Sequence, residues 1–329
     1  MIFSLAQKIF RALRNPESLQ IRWILYQQAK HKALIKNLPK MTPARLLSII
    51  KNDLLISRGD TVCVHSAMGF LNVDLTAAEL LQLLLDVVGP EGTLVFPSYP
   101  GASLEFLKSR QTFDVNTTSS TKATGLLTEL AWKHPGALRS LHPTKSMAAI
   151  GPKAEQITMG HDLSAFPYDE SSPYYKLASL DAKIIGLGVW TYNLSFVHCV
   201  EDTMRERFPF CPHDPELFSA ICKDQEGVER KVLTFAHDLK RISFDTLHVQ
   251  DYMRKHVAKV ISQDLNVDQR RFFVVQAKPL YARMSELAAE GVTIFKRAQQ
   301  RTTPQHERES WLQLQQQVLE KRRTLNEGN

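Results

Sequence analysis

Residues 59–97 constrain the fold of this chain more than any other segment. A glycine turn at Gly59 opens a β-branched apolar run, which leads into a small polar loop. Apolar residues at helical spacing follow from Leu75 to Val88, and a second glycine turn opens another apolar run at 92–97. This order predicts a strand, a loop, a helix and a strand, the unit from which parallel sheets covered by helices are built.

The rest of the chain continues the same alternation. It predicts further strands at 146–151, 183–189 and 270–277, and helices at 42–57, 125–134, 194–206 and 279–300. Two long polar segments, 98–121 and 160–173, are predicted to be functional loops because they exceed ordinary connections in length. We therefore expect an α/β fold with three αβα layers around a central, largely parallel or mixed sheet.

The net charge of +7 is confined to one end of the chain. Residues 1–40 carry eight Lys and Arg but one acid, and the remainder balances 33 basic residues with 33 acidic ones. A neutral body argues against a nucleic-acid enzyme, whose working face must be basic. We therefore divide the chain into a basic extension (1–41), a catalytic domain (42–300) and a polar, helical or frayed tail (301–329).

Residues 2–14 combine apolar residues at helical spacing with Lys8, Arg11 and Arg14, which predicts a basic amphipathic helix. Such a helix can lie on an anionic membrane surface, or it can dock on the body or on a partner chain. No apolar run is long enough to span a bilayer, and the charges within 1–15 are not those of a secretory signal. The expected location is the cytoplasm, with peripheral contact to the inner membrane as an open alternative.

Cysteine and histidine spacing argues against metal and redox sites. The four cysteines form no C-x-x-C pair, and no helix carries H-x-x-x-H or H-E-x-x-H among the eleven histidines. The chain also lacks the G-x-S-x-G elbow of serine hydrolases. We therefore expect no metal and no serine nucleophile.

Ser195, His198 and Glu201 follow the predicted strand at 183–189 at intervals of three residues. That spacing places them on one face of a helix near the carboxyl end of a strand, where open α/β sheets bind ligands. A carboxylate beside an imidazole orients the ring for general base catalysis, which suits the deprotonation of an amine. The alternative is a structural histidine paired with an acid.

Three other segments are candidates for binding. The first segment links a strand to a helix, contains several small side chains, and consists of His65, Ser66, Ala67, Met68 and Gly69. Small side chains could let its backbone N–H groups approach a phosphate, although an ordinary turn has the same pattern. The carboxylates of Asp169 and Glu170 could bind a cationic amine, and Ser172 and His142 offer further polar groups. Each of these segments can also be purely structural.

Taken in order, these segments resemble the aminoglycoside N(3)-acetyltransferase family over residues 45–298. The motifs that carry the resemblance are V-H-S-A-M-G at 64–69, G-P-E-G-T-L-V-F-P at 89–97, T-G-L-L-T-E-L at 124–130, P-G-A-L-R-S-L-H-P-T-K-S-M-A-A-I-G at 135–151, S-S-P-Y-Y-K-L at 171–177, K-I-I-G-L-G-V at 183–189 and S-F-V-H-C-V-E at 195–201. The chain departs from the family pattern at 169–173, where D-E-S-S-P replaces G-E-G-S-P. That difference indicates an acceptor pocket of a different shape.

The resemblance implies acetyl-CoA or another acyl-CoA as co-substrate and direct attack of an amine on the thioester. It implies that His198 is the essential base with Glu201 as its acid, and that Ser195 stands where the family has threonine. It also implies that Ser66–Gly69 receives the pantetheine or phosphates of CoA, and that Ser172 lies beside the thioester.

The acceptor is less constrained than the reaction. Aminoglycosides are polycations, whereas the body of this chain has no acidic excess. An aminoglycoside or other amino sugar is the expected small-molecule acceptor, and a nucleotide-linked amino sugar of surface polysaccharides is the alternative. From another class of function, the chain could be a non-catalytic scaffold that keeps the fold. A homo-oligomer also remains an alternative to a monomer.

Overall fold

The structure is a computed structural model that describes residues 29–238 and 249–295, together with Tyr26, Gln313 and Gln316. The predicted amphipathic helix at 2–14, and the tail after residue 300 apart from those two glutamines, lie outside the described residues. Peripheral membrane contact and the three-part division of the chain therefore stay predictions. Within the described residues, no helix has the length and apolar composition needed to cross a membrane.

The described part of the chain forms two sheets. Its strands are β1 (Thr61–Ser66), β2 (Thr93–Pro97), β3 (Phe113–Asp114), β4 (Ala137–Arg139), β5 (Met147–Ile150), β6 (Lys183–Leu187), β7 (Phe218–Lys223), β8 (Glu229–Thr234), β9 (Ser262–Val267) and β10 (Arg270–Gln276). The larger sheet has the order β4-β5-β2-β1-β6-β10-β9. Strand β1 pairs in parallel with β2 and β6, whereas the flanking strands β5 and β10 pair antiparallel. The predicted mixed sheet is confirmed.

Helices cover both faces of the larger sheet. They are α1 (Pro43–Ser48), α2 (Met68–Leu71), α3 (Ala77–Val88), α4 (Ser103–Ser109), α5 (Thr121–Thr124), α6 (Leu126–Trp132), α7 (Ala154–Thr158), α8 (Pro173–Ser179), α9 (Cys199–Thr203), α10 (Val249–His256) and α11 (Ala277–Ala289). A π-helical turn, Ile49–Asp53, extends α1, and residues 29–37 are also helical. Together the layers form the αβα sandwich that the sequence predicts.

Side chains along β1 alternate between two apolar clusters on opposite faces of the larger sheet. Val62 and Val64 pack with α1, α3 and α6, whereas Cys63 packs with α7, α8, α9 and α11 on the opposite face. The predicted helix at 75–88 begins at Thr76, which forms a capping box with Glu79. Local capping and strand periodicity therefore agree with the three-layer arrangement.

Several connections differ from the sequence predictions. The segment 98–121, expected to be a loop, contains α4 and β3, and the predicted loop 160–173 contains the 3₁₀ turn His161–Leu163. The predicted helix at 194–206 is a 3₁₀ turn, Ser195–His198, followed by α9. These elements are too short for hydrophobic periodicity to reveal them.

The second sheet, with the order β3-β7-β8, has no counterpart in the predictions. Strand β7 carries buried and exposed residues in strict alternation, with Phe218, Ala220 and Cys222 directed inward. The small sheet has its own apolar cluster, which includes Phe113 of β3 and Val232 of β8. It brings the segment that follows β8 towards the carboxyl end of β6 in the larger sheet.

Gly188 ties β6 to the loop after β1, and its replacement by alanine should destabilise the fold. Its φ is +76°, and a Cβ there would lie 2.6 Å from the Ala67 oxygen and 2.9 Å from the Leu71 nitrogen. Because both are backbone atoms, Gly188→Ala should lower the free energy of unfolding by roughly 1–3 kcal/mol beyond the strain of its left-handed backbone. Urea denaturation monitored by circular dichroism measures this loss.

Gly59 supplies the matched control for this measurement. Its φ is +81°, but a Cβ there would meet no atom within 4 Å. Gly59→Ala therefore reports the conformational cost alone, about 1 kcal/mol. Equal losses in the two variants would contradict the clash with the loop.

Candidate active site

The three predicted catalytic residues lie in one row after β6. Ser195 and His198 are the ends of a 3₁₀ turn, in which residues three apart superimpose along the axis. Glu201 follows in the first turn of α9, again three residues further on. The change from 3₁₀ to α geometry therefore keeps all three side chains on the same side of the segment.

One nitrogen of the His198 ring forms a hydrogen bond with a described residue, and the other does not. Its Nδ1 lies 2.6 Å from Oε1 of Glu201. The His198 side chain is 14% exposed and Glu201 is 1% exposed, so the carboxylate lies behind the ring. No described residue forms a hydrogen bond with Nε2. When Nδ1 donates to Glu201, Nε2 is the atom that can accept a proton.

A second histidine contacts the same carboxylate. Nε2 of His237, just after β8, lies 3.0 Å from Oε2 of Glu201, and the rings of His198 and His237 are 4.6 Å apart. His237 stacks at 4.8 Å on His213, whose Nε2 lies 2.6 Å from Oδ1 of Asp202. The sequence analysis missed His237, His213 and Asp202, since no regular spacing links them to His198.

Burial sets the charge state of this cluster. It lowers the pKa of His198 to about 3 and raises the pKa of Glu201 well above its usual range. His213 and Lys145 act in the opposite direction on Glu201, because a positive neighbour favours the carboxylate. His213 and Lys145 therefore offset only part of the effect of burial and of the neighbouring Asp202 charge, which together favour the neutral carboxyl.

The Tyr168 ring contacts both His198 and Lys145, and Lys145 lines a cavity whose lining does not include His198 itself. The Tyr168 ring lies 5.2 Å from that of His198, and Lys145 Nζ lies 5.7 Å from the Tyr168 centroid and 5.1 Å from that of Tyr99. Tyr99 also interacts with the Ser195 side chain. Tyr99, Lys145 and His237 line a cavity of about 400 Å³, a volume suited to a small-molecule site.

His198, Glu201 and His237 could also hold a metal ion. Each offers one ligand atom, and these atoms lie within 4.8 Å of one another. The spacing rules behind the expectation of no metal did not consider this set, because His237 comes from a distant segment. The direct hydrogen bonds of 2.6 Å and 3.0 Å already pair these atoms, and the absence of a metal stays a prediction.

The predicted donor loop lies at the same edge of the sheet. Ser66 ends β1 opposite Leu187 of β6, and the Ala67 N–H donates to the Leu187 oxygen at 2.9 Å. Ala67 packs against the apolar cluster that contains Phe196 and Val197, the residues just before His198. His65 and Met68 are partly buried, and Gly69 is exposed. Contacts of His65–Gly69 with a cofactor remain a prediction.

The predicted acceptor residues have different environments. Asp169 is buried, accepts a hydrogen bond from the Ser171 N–H at 3.0 Å, and also bonds Ser164; burial raises its pKa to about 6. Glu170 is exposed and lies 3.5 Å from Nη1 of Arg205. Neither residue is among those that line the cavity beside His237.

Ser172 and His142 both form hydrogen bonds that stabilise local structure. The Ser172 hydroxyl accepts from the Tyr175 N–H at 3.2 Å and caps α8, and the residue is 0% exposed. His142, also 0% exposed, accepts the N–H groups of Thr144 and Lys145 on Nδ1 and pairs through Nε2 with Thr234. Both ring nitrogens therefore have partners within the protein, and contact of His142 with an acceptor stays a prediction.

Comparisons with known proteins show what the chain is similar to. Aminoglycoside N(3)-acetyltransferase III of Salmonella sp is 32% identical over 160 residues, which cover 44% of this chain and 55% of that protein. Aminoglycoside N(3)-acetyltransferase IX of Micromonospora chalcea is 28% identical over 181 residues, which cover 49% and 64%. The chain thus spans little more than half the length of the curated relatives it matches.

Solved structures show the same fold, and a family profile identifies the chain. The structure titled AAC-IIIb binary with CoASH has a TM-score of 0.64 at 21% identity, covering 78% of this chain and 98% of that one. AAC-VIa bound to sisomicin has a TM-score of 0.65 at 21% identity, covering 77% and 99%. The profile of aminoglycoside 3-N-acetyltransferases matches residues 63–289, a range that contains every site residue described above. The chain therefore belongs to the aminoglycoside 3-N-acetyltransferase family.

Proposed function

We propose that this chain transfers an acetyl group from acetyl-CoA to an amine of an aminoglycoside or another amino sugar, with His198 as the general base. The observation that carries the proposal is the 2.6 Å contact of His198 Nδ1 with Glu201, which leaves Nε2 as the proton acceptor of the ring; His237, which shares Glu201 with His198, lines the cavity. Relatives named aminoglycoside N(3)-acetyltransferases support the reaction class, and the structures titled with CoASH and sisomicin support the two substrates.

In this mechanism Nε2 of His198 takes a proton from the acceptor amine as its nitrogen attacks the thioester carbonyl carbon. A C–N bond forms, and the carbonyl oxygen becomes an oxyanion within reach of the Ser195 hydroxyl. The C–S bond then breaks, and His198 returns its proton to the thiolate of CoA. Glu201 stabilises the transient imidazolium through Nδ1.

The donor is proposed to bind along Ser66–Gly69, at the carboxyl ends of β1 and β6. The loop supports this assignment by position, because Ala67 is bonded to Leu187 at the end of β6. Ser172 is proposed to contribute by fixing the start of α8 rather than by direct contact, since its hydroxyl is fully buried. Asp169 and Glu170 remain proposed acceptor residues.

Release of free CoA thiol from acetyl-CoA tests the function directly. The assay uses the full chain and a panel of aminoglycosides, simple amino sugars, amino-sugar phosphates and nucleotide amino sugars. We expect amine-dependent thiol release and an N-acetylated product detected by mass spectrometry. If no amine increases thiol release above hydrolysis, the transferase proposal is wrong and the scaffold alternative gains support.

Glu201→Gln tests the positioning of the base. An amide cannot accept from both imidazoles, so His198 loses its fixed tautomer and kcat should fall roughly 10- to 100-fold, as for other partners that orient a reactive histidine. The KM for acetyl-CoA should change little. Glu229→Gln, an exposed acid paired with Lys223, is the control and should retain full activity. Equal kcat values in the two variants would contradict a positioning role.

A further inference from the structure

The wall of the cavity beside His237 is positively charged. The residues that line it include two lysines, Lys122 and Lys145, but a single acid, Glu105. Lys122 is exposed, whereas Lys145 is partly buried between two aromatic rings. A pocket that binds a polycation requires more acidic than basic side chains, because like charges at short range in a partly dry site repel strongly.

Lys145 is a cation without an ion-pair partner in the described part of the chain. Its ammonium lies over the Tyr99 and Tyr168 rings at 5.1 Å and 5.7 Å, and no described carboxylate is within ion-pair distance. Burial lowers its pKa to about 8, so the charge persists at neutral pH. The charges of Asp202 and Glu201 offset part of this effect from beyond ion-pair distance, and an anionic ligand in direct contact with the ammonium would offset more of it.

The acids behind Lys145 are already occupied. Glu201 lies between His198 and His237, and Asp202 accepts from the Tyr168 N–H at 2.8 Å and pairs with His213 at 2.6 Å. Their oxygens are therefore directed into the histidine cluster rather than into the cavity. An anionic group that binds beside Lys145 would therefore contact the ammonium rather than these carboxylates.

A neighbouring cavity extends the pocket and is rich in hydroxyl groups. It has a volume of about 530 Å³ and shares Glu105 and Lys122 with the first cavity. Ser109, Thr117 and Ser119 are among its lining residues. Hydroxyl groups of this kind suit hydrogen bonding to a sugar.

We propose that Lys145 binds an anionic group, phosphate or carboxylate, carried by the amino sugar that His198 deprotonates. The inference rests on the proposed transferase activity and adds the charge of the acceptor to it. The acceptor is then an anionic amino sugar rather than a polycation. Its amine faces Nε2 of His198, and its anionic group pairs with Lys145 across the Tyr168 ring.

The phosphates of the donor are the competing partner for Lys145. The pantetheine arm of an acyl-CoA separates its phosphates from its thioester, however, and Lys145 lies on the ring that also packs against His198. A lysine that shares the Tyr168 ring with the proposed base is therefore better placed for the acceptor than for the distant donor phosphates. Separate KM values for donor and acceptor distinguish the two assignments.

The test compares wild-type protein with Lys145→Met and Lys145→Arg. Acceptors are glucosamine 6-phosphate, a nucleoside-diphosphate amino sugar, an amino uronic acid and kanamycin, assayed by thiol release. Lys51→Met is the control, because Lys51 is exposed on the turn whose Ile49 and Ile50 pack on the opposite face of the sheet. Thermal unfolding of each variant verifies that it is folded, and calorimetric titration with each acceptor measures binding without turnover.

We expect the wild type to prefer an anionic acceptor, and Lys145→Met to raise its KM roughly 10- to 100-fold, the loss of one hydrogen bond to a charged group. The KM for acetyl-CoA should stay constant, and Lys145→Arg should restore most of the acceptor affinity. The phosphate and carboxylate acceptors show which anion is bound.

Two outcomes would overturn the inference while leaving the transferase activity intact. One is turnover of kanamycin in preference to every anionic amino sugar, and the other is a Lys145→Met variant that changes only the KM for acetyl-CoA. If no acceptor is turned over, the transferase proposal fails. In that case equal binding of glucosamine 6-phosphate by wild type and Lys145→Met would also reject the anion site.

Discussion

Replacing His198 with glutamine should lower kcat by roughly 10²- to 10⁴-fold, the range that general base catalysis supplies. Glutamine can still contact Glu201 but has no basic nitrogen to take the amine proton at Nε2. Affinity for acetyl-CoA should be unchanged, because the proposed donor loop at Ser66–Gly69 is held by β1 and β6 and not by the His198 ring. Steady-state thiol release and equilibrium binding of acetyl-CoA measure the two quantities separately.

His134→Gln is the control for this experiment. The Nδ1 of His134 accepts only a local N–H, that of Gly136 at 3.1 Å, in a turn away from the cavity. It should therefore keep wild-type kcat. A His198→Gln variant with more than a tenth of wild-type kcat would show that the proton leaves by another route. Loss of acetyl-CoA binding in that variant would instead indicate a misfolded site.

Most of the larger sheet could be predicted, because its strands are local patterns. Continuous apolar runs reveal β1, β2 and β6, and capping signals reveal α3 to within two residues. The antiparallel pairing of β5 and β10 was not predictable in detail, since a buried strand has the same apolar pattern in either direction. Strand direction depends on how connections cross the sheet.

The candidate site was predictable only where its residues follow one another in the chain. Spacing by three residues places Ser195, His198 and Glu201 together, and the structure brings them into that row. His237 reaches Glu201 from the end of β8, in a small sheet that periodicity did not reveal. In the sequence Lys145 is only one residue of a longer motif. Its position over two aromatic rings, beyond ion-pair distance of any described carboxylate, depends on the tertiary fold and could not be predicted.

His142 explains why an apparent site residue can be part of the framework. A His-Pro pair beside a predicted strand resembles a binding loop, yet its ring is fully buried against His161 at 4.4 Å. Two backbone N–H groups donate to Nδ1, and Nε2–H donates to Thr234. A proton on Nδ1 would face both N–H donors, so the fold requires the neutral ring.

The second large effect we expect is a loss of stability in acid. Burial lowers the pKa of His142 well below its usual range and that of His161 to about 3, whereas both titrate near 6.5 when unfolded. Below that pH the unfolded chain binds protons that the native state excludes. Each such histidine therefore lowers the free energy of unfolding by about 1.4 kcal/mol per pH unit as the pH falls from 6.5 towards its native pKa.

His142→Asn isolates this contribution, because its amide oxygen can replace Nδ1 as acceptor of the Thr144 and Lys145 N–H groups but does not titrate. Urea unfolding at pH 7.5, 6, 5 and 4.5 should show a slope smaller than that of the wild type by about 1.4 kcal/mol per pH unit below 6.5. Carboxylates such as Glu129, whose pKa is lowered to about 2, contribute equally to both proteins and cancel in the difference. His142→Phe, which accepts neither N–H, should instead be less stable at every pH, by roughly 1–3 kcal/mol for each orphaned donor. Identical pH slopes in His142→Asn and the wild type would mean that His142 is protonated in the native state, and that the hydrogen bonds on its Nδ1 do not fix a neutral ring.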